Sequence, residues 1–446
     1  MNGIQEVVGS IPIGSTIPPK KPPQGGFFFC FLKPRLTNMN EASAIRRSAC
    51  PGLYRLAPAR DGFICRIKLA LGTLTAGQAR AIAAAARRYG SGVIEITSRA
   101  NLQIRGLAAQ DGDVLADALV DAGLGAASAA ADDVRNVMVS PSYGIDPQAL
   151  LDPAPLAREI LVLLESRSAF HALSPKFSIL IDGGESTAPL DHPHDIWLSA
   201  IDDSRYAFGL AGTLRDAPLG WVSTEDALKA VTATIETFLA AADGATRIRQ
   251  LADPRAVAPP SLHPFENWRR SEPKALAHIG LHPHWVGARP PLGRLNPKRL
   301  EALAALADEQ AKGLIRLTPF QSVLLPEPVA PAATLARLAE AGFITDAAHP
   351  LADLLACSGL SGCRSAHADT QADALSLAAL GVGRNLHLSG CEKSCASARP
   401  AAHTLVAVAP GRYDLYRRAE GAASRFGERE ASGLSLADAA ARLAGA

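Results

Sequence analysis

The chain repeats itself at a constant offset of 221 residues. Leu71-Gly72-Thr73-Leu74-Thr75 recurs as Leu292-Gly293-Arg294-Leu295-Asn296, and Gly92-Val93-Ile94-Glu95-Ile96-Thr97 recurs as Gly313-Leu314-Ile315-Arg316-Leu317-Thr318. A duplicated segment is expected to fold twice into similar units, and a spacing this wide implies another domain between them. Each copy predicts a helix. In the first, Thr75 is the N-cap, residues 79–86 supply the run and Gly90 lies near its end. In the second, Asn296 is the cap, Pro297 takes the first helical position, and Leu300, Leu303, Ala304 and Ala307 recur at helical spacing. Strands are predicted at residues 92–97 and 313–318, then near 102–104 and 323–325. This order describes a ferredoxin-like half in each copy, and two such halves can pair about a pseudo-two-fold axis.

The rest of the 446 residues divides around the repeat. Residues 1–45, rich in Pro, Gly and polar side chains, are read as a flexible extension. Residues 46–125 form the first ferredoxin-like half and 266–344 the second. Residues 126–265 alternate apolar segments (134–139, 177–181, 196–201) with helices near 157–166 and 224–242, which predicts an α/β domain. Residues 345–446 form a second α/β domain, with strands at 404–408 and 413–416 and a last helix capped by Ser435 and Asp438. The fold class is therefore α+β, two ferredoxin-like halves each followed by an α/β domain. A hydrophobic content of 48% with 20% charged residues fits a globular chain with real cores. A net charge of +2 gives no footprint for nucleic acid. The apolar run at residues 27–32 is too short for a membrane span or a signal-peptide core.

Seven cysteines, an odd number with no secretory signal before them, point to a reducing compartment and a cytoplasmic protein. Four of them, Cys357, Cys363, Cys391 and Cys395, crowd the last quarter as C-x5-C and C-x3-C. Four thiolates from two loops can hold a [4Fe–4S] cube, which takes one protein sulfur per iron. The spacing is not the C-x2-C of most structural zinc sites; zinc, or four unliganded thiols, are the alternatives. Cys30, Cys50 and Cys65 are assigned to packing or to the extension, and Cys65 alternates with Phe63 and Ile67 in a core strand. His171, His367, His387 and His403 show no metal spacing, His282 and His284 form H-x-H, and His387 precedes the second cysteine pair. No G-x-G-x-x-G opens a helix after a strand, so electrons are expected from a separate NAD(P)H-dependent reductase.

A basic set lies at strand ends: Arg99 follows a strand, Arg105 ends the next, Arg135 opens another and Lys176 precedes a fourth. Together with the cysteines these residues resemble the sulfite and nitrite reductase superfamily. Its siroheme-binding members carry a Thr-Thr-Arg-x-x-x-Gln type segment, here Thr97-Ser98-Arg99-Ala100-Asn101-Leu102-Gln103; an Arg-Asn segment, here Arg135-Asn136; and a Pro-x-Lys-Phe-Lys type segment, here Pro175-Lys176-Phe177-Ser178 with serine in place of the second lysine. Within the superfamily, three stretches resemble the precorrin-3B synthase family. They are Arg46-Arg47-Ser48-Ala49-Cys50-Pro51-Gly52-Leu53, Val139-Ser140-Pro141-Ser142-Tyr143-Gly144-Ile145-Asp146, and residues 387–396 around Cys391 and Cys395.

The resemblance implies an oxygen-dependent monooxygenase that hydroxylates precorrin-3A at C20 and closes the ring A acetate into a lactone. Arg99, Arg135, Lys176, Gln103 and Arg105 would then meet the carboxylates of a tetrapyrrole, arginine as a fork and lysine as a point charge. The cube would supply electrons, and the family is associated with a mononuclear non-haem iron whose ligands the sequence does not reveal. Loss of a cation at Ser178 weakens the case for reduction of a small oxyanion. A siroheme-dependent sulfite or nitrite reductase is the alternative, and a non-catalytic Fe–S or zinc scaffold a third reading.

Overall fold

The computed structural model describes residues 51–264, 267–272, 278–397, 401–419 and 424–445. The expected extension at residues 1–45, with Cys30, and also Cys50, lies outside them. Among the described residues no helix is long and apolar enough to cross a membrane.

The two repeats are joined by exchange of strands. The first antiparallel sheet orders Ala57–Ala59, Gly62–Ile67, Leu102–Leu107, Ile94–Ile96 and Arg294–Leu295. The second orders Gly280–Leu281, Trp285–Ala288, Val323–Pro326, Leu314–Leu317 and Thr73–Thr75. Each half thus lends the short strand before its helix to the edge of the other sheet, Thr73–Thr75 against Leu314–Leu317 and Arg294–Leu295 against Ile94–Ile96. The helices follow at once. Thr75 Oγ1 accepts from the Gln78 N–H at 3.2 Å while Gln78 Oε1 accepts from the Thr75 N–H at 3.0 Å, a capping box that starts Ala76–Tyr89. Asn296 Oδ1 caps Pro297–Gln310 through the Arg299 N–H at 2.8 Å. Ile82, Ala83 and Ala86 of one helix share a single apolar core with Leu300, Leu303 and Ala307 of the other. Backbone irregularities obey the same offset: Leu71 and Leu292 have φ of 55° and 53°, Ala100 and Gln321 of 53° and 59°.

The duplication extends beyond the halves. The first α/β sheet orders Gly220–Ser223, Arg205–Leu210, Ile196–Ala200, Ile179–Asp182 and Val137–Val139, and the second orders Leu355–Ala356, Leu386–Ser389, His403–Ala409, Arg412–Arg417 and Glu428–Leu434. In both, the three strands earliest in sequence run parallel and the last two antiparallel. Repeat-equivalent buried cations tie each sheet to its half. Lys68 Nζ donates to the carbonyls of Asp132 and Asp133 at 2.6 and 3.0 Å. Arg289 donates to those of Leu351, Ala352 and Leu354 at 2.7 to 2.9 Å. The apolar segment at 134–139 is split: Ser128 caps a helix Ala129–Val134, and the strand begins only at Val137. Cys65 is fully buried in the core, as its alternation predicts.

Candidate functional site

The four clustered cysteines sit where open α/β sheets gather ligands, beyond the carboxyl ends of parallel strands. Cys357 follows Leu355–Ala356, Cys363 follows the short helix Gly359–Gly362, and Cys391 and Cys395 follow Leu386–Ser389. All four are free thiols. The Cys395 thiol is pushed up by burial and then by the negative charge of Cys391, Cys357 and Cys363, so the four converge. Among the described residues no group of three or more His, Cys, Asp or Glu side chains is placed to hold a single metal ion. Four converging thiols without a single-ion shell suit a larger group, such as a cube that takes one thiolate per iron. The surroundings fit such a group. The Gly390 N–H points at Cys357 Sγ at 3.1 Å, and Thr370 Oγ1 lies 3.5 Å from the same sulfur. A Cβ at Gly390 would fall 2.8 Å from Ala366 Cβ and 3.3 Å from Cys357 Sγ, so only glycine lets this backbone approach the sulfur.

Glu95 and Arg105 tie the cysteine loop to both halves. Arg105 donates Nε and Nη2 to Asp61 at 3.0 and 2.9 Å, Nη1 to Glu95 at 3.2 Å and Nη2 to the Gly362 carbonyl at 2.9 Å. Glu95 also accepts two bonds from Arg294, on the exchanged strand, and one from Ser358, next to Cys357. Burial works against the Arg105 charge, but Glu95 and Asp61 more than offset it and hold its pKa above the ordinary value. Arg105, expected from the sequence to meet substrate, borders the cavity beside the cysteines while these internal partners hold its side chain and anchor the cluster loop.

Two equivalent loops face one another across the adjoining space. Residues 97–101 and 318–322 share one turn. Thr97 and Thr318 each donate N–H to the carbonyl four residues on (2.9 and 3.0 Å), and their Oγ1 atoms accept from Asn101 and Ser322 (3.2 and 3.3 Å). Ser98, Gln103, Gln321, Cys357 and Cys395 border a cavity of about 220 Å³. Through Ser98, Gln321 and Ala396 it adjoins a cavity of about 370 Å³, bounded further by Leu190, His192 and Phe320.

The remaining basic residues gather at the entry ends of the parallel strands in the first α/β domain, opposite in sense to the cysteines. Arg99 Nη2 donates to the Lys176 carbonyl at 3.2 Å. Arg135 gives Nε to Glu165 at 2.6 Å and Nη1 to the Lys68 carbonyl at 3.3 Å. Arg99, Arg135, Asn136, Ser178 and His194 border a small cavity of about 10 Å³. The structure thus brings Arg99, Arg135 and Lys176 together, and leaves Gln103 and Arg105 beside the cysteines. The ammonium of Lys176 has no partner among the described residues. Sequence reasoning missed His192 and His194; the H-x-H in Asp191-His192-Pro193-His194-Asp195 was the available signal.

Residues 57–122 and 280–340 match the nitrite/sulfite reductase ferredoxin-like half domain, and residues 130–255 match the nitrite and sulphite reductase 4Fe-4S domain. The chain belongs to the nitrite and sulfite reductase superfamily. Membership makes it an oxidoreductase of the iron–sulfur class. The 4Fe-4S match falls on the first α/β domain, whereas the cysteines lie in the second, whose sheet has the same strand order. Among superfamily relatives, the precorrin-3B synthase of Sinorhizobium sp is 34% identical, covering 89% of this chain and 88% of that protein. The chloroplastic ferredoxin–nitrite reductase of Zea mays is 28% identical, covering 75% of this chain and 67% of its own. The NirA protein of Mycobacterium tuberculosis shares the fold, with a TM-score of 0.70 at 20% identity over 85% of this chain and 79% of that one.

Proposed function

We propose that this chain is a precorrin-3B synthase, a cytoplasmic monooxygenase that uses O2 to hydroxylate precorrin-3A at C20 and close the ring A acetate onto C1. The observation that carries the reading is end-to-end likeness to a precorrin-3B synthase, 89% of this chain against 88% of that protein. Ser178 supports it: its side chain is buried and uncharged where the superfamily's oxyanion reducers carry a second lysine. A [4Fe–4S] cube held by Cys357, Cys363, Cys391 and Cys395 would supply single electrons. They would come from reduced nicotinamide by way of a separate reductase. This chain's own residues bind and orient. Lys176 offers an available cation to a substrate carboxylate, Arg99 and Arg135 set the positive field beside it, and Ser98, Gln103 and Gln321 give polar contacts to the ring edge. Phe320, Pro319 and Leu190 offer an apolar wall to the ring face. The mononuclear non-haem iron associated with that family finds no ligand set among the described residues.

The relatives that are ferredoxin–nitrite reductases, 26–29% identical, favour one alternative, a siroheme-dependent nitrite or sulfite reductase. Anaerobic purification followed by iron, sulfide and tetrapyrrole analysis, then incubation with precorrin-3A and isotope-labelled O2, separates the two. The expected result is iron and sulfide without siroheme, and one labelled oxygen in the product. Siroheme bands together with reduction of nitrite or sulfite would overturn the reading.

A further inference from the structure

His192 and His194 stand between two cavities. His192, half-buried, borders the cavity of about 370 Å³ that adjoins the cysteines. His194, only 2% exposed, borders the cavity of about 10 Å³ with Arg99, Arg135 and Ser178. His192 Nδ1 lies 3.0 Å from His194 Nε2, with ring centroids 4.7 Å apart. Such a contact needs one N–H between two ring nitrogens, so two neutral rings hold the same tautomer, both Nε2–H or both Nδ1–H. The backbone fixes the pair. The His192 N–H donates to the Pro189 carbonyl at 3.0 Å and the His194 N–H to the Gly212 carbonyl at 2.8 Å. The next residue, Asp195, accepts from the Ser178 and Ile248 N–H groups and from Arg247 Nε at 2.7 to 2.9 Å.

At the inner end, His194 Nδ1 and Ser178 Oγ are both buried, border the same small cavity and have no hydrogen-bond partner among the described residues. Two orphaned polar atoms are costly unless something polar meets them. A volume of about 10 Å³ is close to what one water occupies.

We propose that His192 and His194 form a proton relay between a water-sized pocket at Ser178 and the large cavity beside the cluster. In one passage His194 Nδ1 takes up a proton, the shared proton moves from His194 Nε2 to His192 Nδ1, and His192 Nε2 releases a proton into the large cavity. One proton enters and one leaves, neither ring gains net charge, and return to the starting tautomers readies the pair again. The surroundings support transit over storage. Burial first, then Arg99 and Arg247, hold the His192 pKa down to about 3, and burial, His192 and the same arginines hold His194 well below the ordinary value. The other charged groups facing the pair are Asp191, Arg215 and Glu272 around the large cavity and Arg135 at the small one. The relay rests on the proposed reaction for its purpose: two protons accompany two electrons when one oxygen atom of O2 leaves as water.

The test uses the full-length, cluster-loaded protein labelled with ¹⁵N-histidine. The expected spectrum shows both rings neutral at pH 6.5 in the same tautomer, with the His194 tautomer altered in His192→Ala. An imidazolium at either ring, or one ring as Nδ1–H with the other as Nε2–H, would overturn the relay whatever the substrate proves to be. In turnover of precorrin-3A, His192→Ala should slow kcat about a hundredfold with KM nearly unchanged. Added imidazole, which the large cavity can admit, should restore the rate. His192→Ala that turns over at the wild-type rate, or slows without rescue, would overturn the role. The buried variant His194→Asn serves as a second probe, and circular dichroism checks that both fold. Wild-type protein that ignores precorrin-3A would instead sink the reaction assignment, and the spectrum would still decide the pair.

Discussion

Replacing Arg105 by alanine distinguishes an anchor from a substrate ligand. The arginine side chain is 4% exposed, and its carboxylate partners Asp61 and Glu95 are 23% and 15% exposed. Removing one member of a buried ion pair costs ~3–5 kcal/mol, because the other charge stays in a poor solvent for it. Partial exposure of Asp61 and the remaining Arg294 partner of Glu95 place the expected loss near the lower end, about 3 kcal/mol. The Gly362 carbonyl would keep only the Arg60 N–H at 3.3 Å, so the loop between Cys357 and Cys363 should loosen as well. Equilibrium unfolding in urea measures the first effect and iron per chain the second. A substrate-binding arginine would instead raise KM and leave the unfolding midpoint and iron content alone. Unfolding within about 0.5 kcal/mol of the parent, with full iron, would refute the anchoring argument.

Gly390→Ala should place a methyl 2.8 Å from Ala366 Cβ, well inside carbon contact distance, at a cost of ~1–3 kcal/mol; reduced iron retention and an altered low-temperature EPR spectrum are expected, and an unchanged spectrum would argue against the close approach. Cys391→Ser should lower iron and sulfide per chain, and a variant that kept both would remove Cys391 from the cluster. Burial, then Arg289 and His282, hold His278 at about 3, and burial, then Arg425, hold His387 at about 4. Both lie below the ~6.5 of an unfolded histidine, so the unfolded chain binds protons that the native one refuses. Stability should therefore fall as pH drops below that value toward 4, by about 1.4 kcal/mol per histidine between pH 8 and 5.5. Urea midpoints across that range measure it, and a flat profile would contradict the burial of these rings.

Much of the frame was legible because the repeat carries local signals. Thr75, Asn296 and Pro297 start helices by capping chemistry that acts within one turn, and the Ser435 and Asp438 box closes as expected, with Oγ accepting from the Asp438 N–H at 3.2 Å. The exchanged strands were not legible. Thr73–Thr75 and Arg294–Leu295 are two or three residues long, and their pairing is decided by a partner about two hundred residues away or farther. The equivalence of the α/β domains was hidden for a related reason: strand order is a property of the sheet, and apolar strands of different composition can fill the same places. At the site, cysteine spacing revealed the sulfur set, but charge alone did not reveal the internal partners of Arg105. An arginine at a strand end reads the same whether its fork meets a ligand or, as here, Asp61 and Glu95.

The duplication also accounts for the character of the cavity. Pseudo-symmetry delivers the same turn twice, at 97–101 and 318–322, and sets both against one space. A perfectly symmetric pair would offer two like walls. Here the turns have diverged in side chain while keeping their hydrogen bonds: Ser98-Arg99 stands on one side and Pro319-Phe320 on the other. One wall is polar and backed by cations, and the other is apolar. A flat macrocycle with an oily face and a rim of carboxylates, whether a tetrapyrrole substrate or siroheme, needs those two surfaces at once. Exchanging Phe320 for a polar residue of similar size, such as Phe320→Gln, should leave the turn intact, because its hydrogen bonds run through Thr318 and the backbone. It should weaken binding of precorrin-3A by ~1–3 kcal/mol, the loss expected when an apolar ring contact is replaced by an amide left to find its own partners. Titration of the variant with substrate against the parent measures this, and equal affinity would show that the apolar wall takes no part in recognition.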